Sequence, residues 1–314
     1  MKSDNREGQP YLARGTEKSK ILVILGPTAV GKSALGVALA RRFGGEIISA
    51  DSRQVYKGLD IGTGKITKKE ILGIPHHLLN VANPKRQMSV SEYQKLARGK
   101  MEEILSRGKL PIIVGGTGLY IQAIVSDISF PEVPPNKILR KELEHRAVTE
   151  LFEMLKGLDP KRAETIDRHN HRRLIRAIEI ATALGKVPPY RNSPRRDIDP
   201  LFIGLTLPQS KLQEKITIRL FARIRERMID EVRKLHQDGL SWKRMEELGL
   251  EYRYVSRYLR GLLTKEEMFV RLQSEIWHYA KRQLTWFRRE GRIRWFKPTE
   301  KRVILMAVRD FISQ

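Results

Sequence analysis

The chain has 314 residues, 60 Lys plus Arg against 36 Asp plus Glu, a formal charge of +24 and no cysteine. That length allows one large or two moderate domains, and an apolar fraction of 40% is enough for a core. Without cysteine there is no disulfide framework, thiol nucleophile, iron–sulfur cluster or zinc finger, so any metal is a hard ion on oxygen ligands. The charge points to a polyanionic partner, nucleic acid before a merely lysine-rich solvated surface.

Residues 1–20 carry no apolar stretch and read as a polar tail, not a secretory signal. No apolar run reaches the length of a membrane span, so a cytoplasmic protein is expected. Ile21 to Leu25 is a short apolar run that reads as a buried strand, followed by helical spacing over Ser33 to Phe43. Glu46 to Ala50 and Leu110 to Val114 read as further strands. Between them Ser91 to Arg107 reads as an amphipathic helix with Tyr93, Leu96, Met101, Ile104 and Leu105 on its apolar face.

Pro131, Pro134 and Pro135 then mark a linker. Asn136 to Leu184 reads as helices only, and Pro188 to Pro200 is rich in breakers. Leu201 to Leu207 returns as a strand, with helices over Gln209 to Gly239 and Lys265 to Glu290. The expected fold is α/β: a P-loop parallel-sheet core covered by helices, with an all-helical insertion domain. Expected boundaries are a tail over 1–20, the first part of the core over 21–130, the insertion over 131–200, and core completion over 201–314.

Gly26-Pro27-Thr28-Ala29-Val30-Gly31-Lys32-Ser33 fits G-x-x-x-x-G-K-[ST] between a strand and a helix. Its backbone N–H groups and the helix N-terminus suit a polyphosphate, with Lys32 on the terminal phosphates and Ser33 on Mg²⁺. The loop alone does not say whether phosphate moves. Asp51 ends the second strand, on the sheet edge where ligands bind. There it can hold a metal-bound water, take a proton from a nucleophile, or cap the next turn.

Together these segments resemble the tRNA dimethylallyltransferases (isopentenyl-diphosphate:tRNA transferases), from about Ile21 to Phe296. The resemblance rests on GPTAVGKS, DSRQVYKGLDIGTGK over Asp51 to Lys65, His76 to Asn80 (HHLLN) and PIIVGGTGLY over Pro111 to Tyr120. It continues through LDPKRAETIDRHNHRRLIRAIEI over Leu158 to Ile180 and AKRQLTWFRR over Ala280 to Arg289.

The resemblance implies transfer of a dimethylallyl group from its diphosphate to N6 of the adenosine 3′-adjacent to the anticodon, position 37. The tRNAs are those reading codons that start with U. The P-loop then holds the diphosphate as a leaving group, with Mg²⁺ as cofactor. Asp51 becomes the general base, Thr28 and Thr117 position base and diphosphate, and Arg223 is a further cation on the diphosphate. Arg219, Arg223, Arg225 and Arg227 are expected on one helix, Lys215 to Met228, with a solvated basic face as the plain alternative.

For tRNA, the anticodon stem-loop being the partner, the resemblance implies contacts by Asp51, Ser52, Arg53, Gln54, Thr117, Arg140, His171, Arg172, Arg173, Lys281, Arg282 and Gln283. Aromatics among the basic residues of Lys281 to Phe296 suit unstacked loop bases, but residues such as Trp286, Phe287 and Trp295 are more often core, so Lys281, Arg282 and Gln283 are the preferred contacts. His76 and His77, adjacent on an extended segment, point apart and are read as structural or as contacts near the site. Relatives with a C-terminal zinc finger differ from this cysteine-free chain, and His169 and His171 stand where relatives often have other residues. A monomer is expected. The competing readings are an adenylate isopentenyltransferase acting on free nucleotide, a P-loop kinase, and a non-catalytic RNA-binding protein.

Overall fold

An apolar run without interior charge is stable in a sheet covered on both faces. This is the environment of β1 (Ser19–Leu25), β2 (Gly45–Ala50) and β4 (Leu110–Gly115) in the computed structural model, which describes residues 18–189 and 193–314. They join β3 (His76–His77), β5 (Ile198–Leu205) and β6 (Arg294–Phe296) in a six-stranded parallel sheet, order β3-β2-β4-β1-β5-β6. Parallel neighbours require crossovers. These are supplied by α1 (Lys32–Phe43), α2 (Val90–Ser106), α3 (Gly118–Val125) and the later helices. The α/β parallel-sheet class expected from sequence is the observed one.

Two prolines stand inside strands, where a missing N–H usually breaks the ladder. Pro111 pairs with Glu46 of β2, but the pairing of β4 with β1 begins only at Ile112. Pro200 pairs with Ile21 of β1, while β6 covers the other edge of β5 only from Ile203. Each proline therefore sits where one flank of its strand has no partner. This is why β5 starts inside the stretch read as breakers; residues 190–192 of that stretch, and 1–17 of the expected tail, lie outside the described residues.

The apolar face of α2 is shifted from the expected one. Tyr93, Ala97, Met101, Ile104 and Leu105 are buried, whereas Leu96 is exposed. A larger difference lies after β5. The single helix expected over Lys215 to Met228 is broken: α8 (Gln209–Arg225) ends before α9 (Met228–Gln237) begins. Arg227 breaks it with a φ of 72°, so Arg227 does not extend the face of Arg223. It is exposed and pairs with Asp230 at 2.9 Å.

The chain divides into two compact units. The first, 1–126 with 194–314, holds the sheet and its helices, including α10 (Trp242–Leu248), α11 (Leu250–Leu259), α12 (Lys265–Phe287) and α13 (Lys301–Ser313). Its core runs from Leu22 and Ile24 through Ile112 and Ile203 to Leu272 and Ile304. The second, Asp127–Ser193, holds α4 (Lys137–Leu143), α5 (Val148–Leu158), α6 (Pro160–Thr165) and α7 (His171–Leu184). Its separate core is Leu143, Leu151, Leu155, Leu174 and Ile178 with their neighbours.

Candidate active site

The loop from β1 to α1 turns back on itself through backbone angles that most residues avoid. Gly26 has φ 139°, and a Cβ there would collide with the Leu205 carbonyl of β5. Gly31 has φ 100° and caps α1, while Ala29 adopts φ 64° without glycine's freedom. The curl leaves Lys32 Nζ donating to the Pro27 carbonyl at 2.6 Å, inside the loop. Burial, then the neighbouring Arg219, lowers the Lys32 ammonium to about 7, with Asp51 pulling the other way.

Around this loop lie two cavities. One, of about 290 Å³, is lined by Ala29, Gly31, Lys32, Ser33, Glu70 and Arg219 among others. The other, of about 210 Å³, is lined by Ser52, Arg53, Arg223, Glu251, Arg253 and Arg282 among others. Thr28, Asp51, Thr63 and Tyr279 line both. The first is the P-loop cradle, where Lys32 and Arg219 face Asp51 and Glu70; the second sets Arg53, Arg223, Arg253 and Arg282 against Asp51, Glu251 and Glu275, with the half-buried Tyr279 at its junction with the first.

Asp51 Oδ1 accepts from the Arg53 N–H at 2.8 Å and the Gln54 N–H at 3.3 Å. The capping role open from sequence is thus real, and it fixes the carboxylate at the junction. Thr117, at the start of α3, accepts from the Ser52 N–H at 3.1 Å, and its own N–H donates to Ala50 at 3.2 Å. Asp51 to Gln54 are therefore tied to the Gly-Gly-Thr turn. Burial foremost pushes the Tyr279 phenol up, with Asp51 adding to it and Thr117 opposing. Burial lowers Arg53 against the pull of Tyr279 and Asp51.

The arginine at the cradle is Arg219. Its guanidinium donates to Thr28 Oγ1 at 3.4 Å and to the Gly64 carbonyl at 3.1 Å. Burial and Arg223 lower it to about 10. Arg223, the residue expected on the diphosphate, instead donates to Glu251 at 2.7 Å and to the Gly62 carbonyl at 3.1 Å. One helical turn separates them, and only Arg219 lines the cradle cavity. Arg223 is buried and lines the second cavity instead, and its Nε has no hydrogen-bond partner.

Gln283, expected on tRNA, is also inside. It is 6% exposed; its Oε1 accepts from the Thr28 N–H at 2.8 Å and its Nε2 donates to Gly116 at 2.8 Å. Both ends of the amide are used in fastening the P-loop to the end of β4. Its neighbours Lys281 and Arg282 are exposed, and Lys281 lies 5.6 Å from the Trp277 ring. Phe287 is core, but Trp286 and Trp295 are 38% and 36% exposed. Trp286 lies where a Cβ on Gly118 would stand.

In the helical unit, Arg172 and Arg173 are exposed at the start of α7, and Arg173 is 3.9 Å from Asp167. His171 Nε2 donates to the Arg146 carbonyl at 3.1 Å. Arg140 is a bidentate partner of the buried Glu179, at 2.7 Å on both oxygens, so its guanidinium holds α4 to α7. His76 and His77 bond separately, to the Ile74 carbonyl and to Glu46. Nothing in the sequence singles out Arg219 from its neighbours or points to Glu251; for Tyr279 the signal was its helical spacing from Arg282 and Gln283 on α12.

Comparison with known proteins identifies the family. Residues 54–290 match the family described as IPP transferase. The chain is 43% identical to the tRNA dimethylallyltransferase of Anoxybacillus flavithermus over 93% of this chain and 95% of that one. It is 46% identical to tRNA dimethylallyltransferase 1 of Geotalea uraniireducens over 87% and 89%. Its fold is similar to the crystal structure of the tRNA isopentenylpyrophosphate transferase from Bacillus halodurans, with TM-score 0.70, 38% identity and coverage of 94% and 95%. It is also similar to a eukaryotic dimethylallyltransferase captured acting on tRNA, with TM-score 0.81, 27% identity and coverage of 95% and 80%. The chain belongs to the IPP transferase family, the tRNA dimethylallyltransferases.

Proposed function

We propose that this enzyme transfers the dimethylallyl group of dimethylallyl diphosphate to N6 of adenosine 37, next to the anticodon, in tRNAs that read codons starting with U. The observation that carries the reading is the pair of cavities meeting at Asp51 and Thr28. The P-loop cradle, with its N–H groups, Lys32 and Arg219, suits the diphosphate and the second cavity suits the flipped base, so donor and acceptor meet at a carboxylate. The C1–O bond of the donor breaks and the N6–C1 bond forms. The N6 proton passes to Asp51, and the electron pair of the broken bond leaves on the diphosphate.

Charge grows on the leaving diphosphate, and groups already aimed there lower the barrier most. These are the P-loop N–H groups, Lys32 and Arg219. The exocyclic amine is a weak nucleophile because its lone pair is delocalised into the ring, and a base at Asp51 is worth about 10²–10⁴-fold. Mg²⁺ fits this donor set. Ser33 lines the cradle, and Mg²⁺ characteristically takes few protein oxygens beside phosphate and water. When bound it neutralises charge on the leaving group.

Asp51 to Gln54 and Thr117 would receive the base, with Arg172, Arg173, His171, Lys281 and Arg282 as contacts to the anticodon stem-loop. Arg140 and Gln283 would support those surfaces from behind. We place the enzyme in the cytoplasm, with its tRNA substrate, as a monomer; among the described residues no helix is long and apolar enough to cross a membrane. Incubation with dimethylallyl diphosphate, Mg²⁺ and unmodified tRNA, followed by nucleoside mass analysis of the anticodon fragment, tests the reading. Prenylated adenosine is expected at position 37 and none from AMP. Equal prenylation of AMP would overturn the tRNA assignment.

A further inference from the structure

Three successive backbone N–H groups, those of Asp60, Ile61 and Gly62, converge on one anion in the loop after the Asp51 segment. Such a run is a nest for negative charge. Here the anion is the side chain of Glu231, in the first turn of α9, far along the chain. Its Oε2 accepts from Asp60 at 3.1 Å and Ile61 at 2.6 Å. Its Oε1 accepts from Gly62 at 3.0 Å and from the Tyr252 hydroxyl at 2.9 Å. Tyr252 is buried in the core, and a Cβ on Gly62 would stand 2.8 Å from its ring, so the loop is pressed against it.

The same loop holds both arginines by its carbonyls. Gly62 accepts from Arg223 and Gly64 from Arg219, each at 3.1 Å. A Cβ on Gly64 would collide with both guanidinium groups. Arg219 then reaches Thr28 of the P-loop at 3.4 Å. A continuous line of contacts runs from Glu231 through the loop to the cradle.

We infer that Glu231, seconded by Tyr252, is a positioning residue for the donor side of the reaction: it fixes the loop whose carbonyls aim Arg219 at the diphosphate. Glu231 lines neither cavity, so it acts through the loop and Arg219. The inference rests on the reading of the P-loop cavity as the diphosphate site.

The test compares Glu231→Gln, Tyr252→Phe and Lys32→Ala with the wild type, measuring the Kd for inorganic pyrophosphate with Mg²⁺, the Kd for tRNA and the KM for dimethylallyl diphosphate. Glu231→Gln keeps the shape but loses charged acceptors, so pyrophosphate affinity should fall about tenfold, with the donor KM rising in step. Tyr252→Phe should do the same to a smaller degree, and it carries the test if Glu231→Gln does not fold. Affinity for tRNA should stay within about twofold of wild type in both, which a general loss of structure would not allow. A fall in pyrophosphate affinity for Lys32→Ala alone overturns the positioning role and leaves the cradle standing. No fall for Lys32→Ala overturns the cradle itself, and the inference with it. An equal fall in tRNA affinity for Glu231→Gln and Tyr252→Phe also overturns the positioning role.

Discussion

Lys32 and Arg219 of the catalytic unit and Arg172 and Arg173 of the helical unit are cations under opposite conditions. Lys32 and Arg219 are pulled below their usual range by burial, and each is held by a fixed oxygen. Arg172 and Arg173 stand exposed on the first turn of α7. A half-buried cation walled in by protein keeps more of its field because less solvent screens it, whereas an exposed one acts through many weak contacts that salt erodes. A small anion that must leave with its charge needs the first kind. A long polyanion that must bind and release needs the second. A third use lies beside the second: Arg140 and Arg176 flank Glu179 and act as struts.

The sharpest break between the regions should come from Asp51→Ala. Turnover is expected to fall about 10²–10⁴-fold, the usual worth of a positioned base, while tRNA affinity, spread over many other contacts, falls far less. Single-turnover assays with saturating tRNA read the first and filter binding the second. Next in size is Leu174→Ala, in the fully buried centre of the helical core. It should cost about 2–5 kcal/mol of that unit's stability in a urea titration. Pyrophosphate binding should survive it, since the cradle draws on the other core.

Lys32 gives a smaller, pH-dependent effect. Its free ammonium titrates near pH 7, and a bound diphosphate raises that value. Below pH 7 both free and bound forms hold the proton, so affinity is flat. Above it the bound form keeps a proton the free form has lost, so affinity falls by up to about tenfold per unit. Lys32→Arg, charged throughout, should lose this component; calorimetry of both proteins across pH 6 to 9 isolates it from the ligand's own titration. The smallest effect is on salt. Each phosphate contact removed by Arg172→Ala should lower the slope of log affinity for tRNA against log salt by about 0.7–0.9.

What the sequence made legible was local. The strands β1, β2 and β4 are apolar runs with no competing reading, and the P-loop is a spacing rule within eight neighbouring positions. Leu96 misled because helical periodicity allows either it or Ala97 on the face, and packing chose the smaller. Arg227 misled because nothing nearby announces a left-handed residue inside a good helix former's run. The site beyond the P-loop depends on distant pairs. Gln283 meets Thr28 across 255 positions, Arg219 meets Thr28 across 191, and Glu231 meets Ile61 across 170. No local pattern encodes such meetings. Only a fold that brings α8, α9 and α12 over the open end of the sheet does.

The division of labour between the two sets of cations is tested most directly by crossing variants with ligands. Lys32→Ala and the double variant Arg172→Ala, Arg173→Ala would each be titrated with pyrophosphate plus Mg²⁺ and with unmodified tRNA, at one salt concentration. Lys32→Ala should lose pyrophosphate binding and keep tRNA, and the double variant should do the reverse. If either variant weakens both ligands equally, the two sets of cations serve one site and the division drawn here is wrong.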